Sequence, residues 1–125
     1  MKLSPMLSVR RGKEAAEFYK KAFDATELFR IESERGEVVV NFSVGDSDFW
    51  IADESPEYKN FSPESIGGAT TRMILIVDDP DAVFQQAVAA GAIAVHPVRD
   101  EEYGWRQGRV LDPFGHHWEI SKKLA

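Results

Sequence analysis

The residues best suited to chemistry lie near the C-terminus. They fall in the run Tyr103-Gly104-Trp105-Arg106-Gln107-Gly108-Arg109-Val110-Leu111-Asp112-Pro113-Phe114-Gly115-His116-His117-Trp118-Glu119-Ile120. The pattern reads as strand, tight turn, strand: Pro113 pre-sets φ for a turn and Gly115 supplies the permissive backbone. Beyond the turn, Trp118 and Ile120 alternate with His117 and Glu119, the period of a two-faced strand. If the face carrying Glu119 points into a cavity, that carboxylate is the leading candidate for chemistry, as a metal ligand or as the anchor of a polar ligand. The three histidines add little to it. His116 and His117 are adjacent, so in a strand they point to opposite faces and do not chelate one ion together. His116 reads as a turn-stabilising or surface contact, His117 as strand surface or a dimer seam, and His96, before Pro97, as solvated. The absence of cysteine excludes disulfides, thiol catalysis and Cys-based metal sites. No Gly-x-Ser-x-Gly elbow marks a serine nucleophile.

The elements that must position Glu119 repeat. Residues 1–125 read as a single domain long enough to bury a core without staples. Module 1 covers about residues 1–55, a connection covers about 56–69 and module 2 covers about 70–125. In the first module, Met6–Val9 is a short strand and Gly12–Phe23 a helix whose Ala15, Phe18, Tyr19 and Ala22 share one face. Strands follow at about 27–33, Val38–Val44 and 48–52, with Gly36 and Gly45-Asp46 at the turns. The second module begins with a strand over about 71–77. Asp79 then caps a helix that starts at Pro80, buries Val83, Phe84, Ala87 and Val88, and ends at Gly91. Strands over about 92–98, Trp105–Leu111 and 117–121 complete it. Both modules are β-α-β-β-β, an α+β pattern, and two such units form a curled, half-open mixed sheet around a cavity. The polar segment 56–68 reads as the connection, either a simple linker or a lid.

Composition narrows the partners. Apolar residues at 43% with 29% charged are those of a soluble globular domain. A net charge of −6 argues against nucleic-acid or anionic-membrane binding, which reward clustered Lys and Arg. No apolar run approaches a membrane span. Met1-Lys2-Leu3-Ser4-Pro5 has no apolar signal region, so a cytoplasmic location is expected.

The double β-α-β-β-β pattern, the motif Tyr103-Gly104-x-Arg106-x-Gly108 running into Asp112-Pro113-Phe114-Gly115-His116, and the segments Glu17-Phe18-Tyr19-Lys20-Lys21-Ala22-Phe23, Asp53-Glu54-x-Pro56-Glu57-Tyr58, Val77-Asp78-Asp79-Pro80-Asp81-Ala82 and Ala89-Ala90-Gly91-Ala92 resemble the vicinal oxygen chelate superfamily. That group holds glyoxalase I, bleomycin-resistance proteins and extradiol dioxygenases, and the bleomycin-resistance-like branch is the most similar. The resemblance implies a homodimer and a small-molecule ligand. Its metal-using members take one ligand from the first strand and one from the last strand of each module. Laid over those enzymes, the positions here are Ser4, Ile51, Arg72 and Glu119, where the family's metal enzymes carry His or Glu. Only Glu119 is a good ligand, and Arg72 puts a fixed positive charge where a cation would sit. No metal is therefore expected in the usual site.

Two functions stay open at this point. One is a metal-free cavity binding a small planar or aromatic molecule, with Arg72, Glu119, Phe42, Trp50, Tyr103, Trp105 and Arg106 as candidate ligand-binding residues. The other is a lyase, isomerase or dioxygenase using Glu119 and a divalent metal such as Zn, Ni, Mn or Fe. For the pair Arg72–Glu119 the alternatives are a salt bridge or a ligand anchor. For Arg106 they are an acidic neighbour or an anionic ligand.

Overall fold

The computed structural model describes residues 1–125. Module 1 is β1 (Met6–Val9), α1 (Gly12–Phe23), β2 (Thr26–Glu32), β3 (Val38–Val44) and β4 (Ser47–Asp53). Module 2 is β5 (Arg72–Ile76), α3 (Pro80–Ala90), β6 (Ile93–Asp100), β7 (Trp105–Leu111) and β8 (His117–Lys123), with a short α2 (Pro63–Ile66) between the modules. The expected unclosed mixed sheet is realised as two four-stranded sheets, ordered β1-β4-β3-β2 and β5-β8-β7-β6. In each, the first strand pairs parallel to the last and the other neighbours are antiparallel.

One hydrophobic core joins the two sheets. On module 1 the covered face carries Leu7, Val9, Val38, Val40, Phe42, Phe49 and Ile51, all 4% exposed or less. On module 2 it carries Val110, Trp118 and Ile120. The α1 stripe Ala15, Phe18, Tyr19 and Ala22 is buried as its spacing predicts, and α1 packs on α3 between the sheets. Tyr19 lies at the centre, edge-on to Phe18 and Phe49 with ring centroids 5.3 and 5.4 Å away. Trp118 of module 2 meets Phe23 and Phe49 of module 1 at 4.7 and 5.5 Å. The α3 stripe is shallower than its sequence suggests: Ala87 is buried but Val88 is 38% exposed. Asp79 caps α3 by accepting the Ala82 amide at 3.1 Å.

Asp112 ties the modules together at the turn. Its Oδ1 accepts the Phe114 and His116 amides, both at 2.9 Å, which shapes the β7–β8 hairpin. Its Oδ2 accepts the Tyr19 hydroxyl at 2.5 Å and the Trp118 indole N–H at 2.9 Å. Burial is the largest cause that pushes the Tyr19 hydroxyl well above its ordinary pKa, followed by the Asp112 charge. The Tyr19 oxygen is therefore a proton donor, not a phenolate. The His116 ring makes a further tie, its Nε2 lying 2.9 Å from the Ser8 carbonyl oxygen.

The connection is hydrogen-bonded to the end of module 1 at Glu54. Glu54 accepts the Ser62 amide at 2.9 Å and the Ser65 hydroxyl at 2.7 Å, and these bonds hold its carboxyl below the usual range. Ser62 caps α2 through the Ser65 amide. Pro63 packs against Gly115, where a Cβ would lie 2.5 Å from the Pro63 Cβ, so the hairpin turn has a glycine for space as well as for its φ of +94°.

Candidate functional site

The site follows from which face of each sheet α1 and α3 leave uncovered. On module 2, alternation puts Gln107, Arg109, His117, Glu119 and Ser121 on the face opposite Val110, Trp118 and Ile120. The hairpin sets Arg109 directly across from Glu119 and Gln107 across from Ser121. On the other side of β8, Ile74 pairs with Glu119 and Arg72 with His117. Between Gln107 and Arg109, Gly108 faces the core: a Cβ there would approach Val98 Cγ2 at 2.7 Å and Phe84 at 3.0 Å. The small residue lets β7 lie close to α3 and β6 while its neighbours project to the open face.

Glu119 is the centre of this cluster. Its side chain is 8% exposed, and Oε1 accepts from Arg72 Nη1 at 2.8 Å and from Arg109 Nη2 at 2.7 Å. Oε2 accepts from the Gln107 amide. Gln107 in turn accepts the Tyr103 hydroxyl at 3.3 Å. These residues, with His96 and Gly108, line a cavity of about 180 Å³. His96 lies at the cavity's edge, with Nδ1 2.9 Å from the Pro97 carbonyl and Nε2 3.5 Å from Glu101. His117 Nδ1 and Ser121 Oγ, two residues either side of Glu119 on the same strand, are buried without hydrogen-bond partners.

Of the candidate residues, Arg72, Glu119 and Tyr103 meet at this cavity. Phe42 does not: it lies 0% exposed on the face of β3 that α1 covers, stacked on Phe49 at 5.5 Å, and has no surface to offer a ligand. Arg106 does not either, because it points the opposite way from Gln107. It donates two bonds to Asp81, both at 2.9 Å, and one to Asp100 at 2.9 Å. Those acids raise its pKa, and Arg106 in return lowers that of Asp81. Trp50 is on the open face of the other sheet, against Phe29 at 6.1 Å. Trp105 begins β7 across from Lys123 and lies outside the cavity lining.

The internal repeat needs one correction. Leu7 pairs with Ile51 and Leu75 with Ile120, all on the covered faces. Ile51 therefore corresponds to Ile120, and the counterpart of Glu119 is Trp50. The four positions laid over the family's metal ligands become Ser4, Trp50, Arg72 and Glu119. Ser4 donates to Asp48 at 2.9 Å, Trp50 has no metal-binding atom and Arg72 is cationic. No group of three or more His, Cys, Asp or Glu comes together anywhere in the chain. This donor set does not fit a catalytic transition metal.

Arg109, Gln107 and His96 were missing from the sequence-level candidates. For Arg109 the signal was available: a hairpin centred on Pro113 to Gly115 that pairs Leu111 with His117 must also pair Arg109 with Glu119.

The chain matches the model of the Glyoxalase/Bleomycin resistance protein/Dioxygenase superfamily over residues 4–120. It is 39% identical to an uncharacterised protein of Mycobacterium tuberculosis over 126 residues, covering 98% of this chain and 74% of that one. A crystal structure of an Arabidopsis thaliana gene product is similar with a TM-score of 0.77 and 30% identity, over 97% of this chain and 98% of that one. The fosfomycin resistance protein FosX of Listeria monocytogenes has the same fold, with a TM-score of 0.77 at 13% identity, over 99% of this chain and 94% of that one. No helix is long and apolar enough to cross a membrane. The chain belongs to the glyoxalase/bleomycin resistance/dioxygenase superfamily.

Proposed function

We propose that this superfamily member binds a small planar or aromatic molecule at the Glu119 cluster, without a resident metal. The observation that carries the reading is the state of Glu119: both oxygens are taken by protein donors, two of them guanidinium groups. A metal would have to displace those donors and sit beside two fixed positive charges. Tyr103, 65% exposed at the cavity, offers a ring on which a planar ligand can stack.

The test is elemental analysis of the protein as purified and after incubation with excess Ni²⁺, Zn²⁺, Mn²⁺ and Fe²⁺, followed by a thermal-shift screen of aromatic small molecules. No retained metal, with a melting shift from at least one aromatic ligand that Tyr103→Ala diminishes, is the expected result. Near-stoichiometric metal that Glu119→Ala removes would replace this reading with a divalent-metal lyase, isomerase or dioxygenase.

The protein is also proposed to act as a homodimer. Support comes from the two uncovered sheet faces. Met6, Phe29 and Ile31 on one and Ile74, Ile76 and Ile93 on the other are each 47% exposed or more. Two-fold pairs are the commonest way such faces are buried. Size exclusion with light scattering is expected to give twice the chain mass, and a monomer at micromolar concentration would contradict the proposal.

A further inference from the structure

Resting on that ligand-binding reading, we propose that the Glu119 cavity receives the carboxylate of its ligand on Arg72 and Arg109, with Glu119 as the residue that positions them. Charge is the first argument. Two guanidiniums against one carboxylate leave the lining with one unbalanced positive charge. Glu101, whose carboxylate lies 3.5 Å from the His96 ring at the cavity's edge, is itself held by Arg99 at 2.8 Å. One surplus charge matches a monoanion, whereas a phosphate dianion would leave a negative charge unpaired at the site.

Donor bookkeeping points the same way. Glu119 uses one N–H of each arginine, and neither guanidinium makes another hydrogen bond. Each guanidinium carries five N–H groups in a planar fork that matches a carboxylate. The cavity's acceptors are committed: Glu119 to three donors and the Gln107 oxygen to Tyr103. What remains to face a ligand is chiefly donor.

Geometry makes the pair usable. Two guanidiniums repel each other when left alone. A single oxygen of Glu119 within 2.8 Å of both holds them side by side, and the low exposure of Glu119 keeps water from loosening that bridge. Arg109, at 30% side-chain exposure, is the deeper of the two receptors and Arg72, at 58%, the outer. At about 180 Å³ the cavity holds a head group rather than a whole ligand of drug size, which needs about 300 Å³ or more.

Three probes of one shape and different charge test this: benzoate, benzamide and benzylamine, with inorganic phosphate as a fourth, each titrated by calorimetry into the full chain and into Arg109→Gln and Arg109→Lys. Benzoate is expected to bind about tenfold or more tighter than benzamide, as charge-assisted hydrogen bonds supply. Benzylamine is expected to bind weakest. Arg109→Gln should erase the preference for benzoate, and Arg109→Lys should keep part of it. Equal binding of benzoate and benzamide that Arg109→Gln leaves unchanged would overturn the carboxylate assignment while the ligand-binding reading survives. Phosphate binding tighter than benzoate would also overturn it. No binding by any aromatic probe would remove both.

Discussion

Replacing Asp112 with alanine is expected to lower the free energy of unfolding by about 3–5 kcal/mol, the sum for two buried donors left unpaired at roughly 1–3 kcal/mol each with some loss in the turn. Asp112 is 2% exposed and takes four hydrogen bonds. Removing it takes from the Tyr19 hydroxyl and the Trp118 indole N–H, in the core between the modules, the acceptor they share. It also frees the Phe114 and His116 amides that set the β7–β8 turn. A loss of this size is a large share of the roughly 5–15 kcal/mol that holds a domain folded. Urea unfolding followed by tryptophan fluorescence reads it directly, because Trp118 is itself a partner. Tyr19→Phe removes one donor and its bond together and is expected to cost only about 1 kcal/mol. A change under about 1 kcal/mol for Asp112→Ala would show that the four bonds are replaced by water and do not hold the modules together.

The second large effect is expected at Glu119. In Glu119→Ala, Arg72 and Arg109 face one another without their bridging oxygen. Breaking a fully buried pair costs about 3–5 kcal/mol. Arg72 is 58% exposed and relaxes into solvent, so about 2 kcal/mol is the expected loss. The informative part is recovery. About 0.1 M formate or acetate is expected to restore much of the lost stability, and chloride at equal ionic strength to restore less. Both salts screen repulsion, but only a carboxylate can replace the two-oxygen acceptor. Equal recovery by chloride would mean that screening is the whole effect and that the arginines form no carboxylate receptor.

The histidines and aromatics show how much the chain disclosed before its tertiary structure was in view. The reading of His116 as a turn-stabilising contact followed from its place next to Gly115. The buried stripe of α1 followed from the spacing of Ala15, Phe18, Tyr19 and Ala22. The cap at Asp79 and the stop at Gly91 followed from local backbone chemistry. Phe42 and Arg106 went the other way. Phe42 alternates with Asn41 as plainly as Trp50 alternates with Ile51, but alternation gives parity and not side. Only the placement of α1 decides that the Phe42 face is the covered one. Arg106 stands next to Gln107, so any statement about one fixes the other. Which of the two sees the cavity depends on where α3 and Asp81 lie.

Sequence alone determined the two β-α-β-β-β modules, their turns and the family, because periodicity, caps and turn residues act over a few positions and survive without any partner. It also singled out Glu119 as a candidate and Arg72 as its partner. Tertiary structure alone decided that Trp50, not Ile51, is the counterpart of Glu119, that Asp112 joins both modules through Tyr19 and Trp118, and that the segment 56–68 is docked rather than slack. The physical reason is common to these cases. Each depends on which of two equivalent strand faces becomes covered, or on contacts between residues far apart in the chain, such as Tyr19 with Asp112 and Pro63 with Gly115, and neither is encoded in any local window.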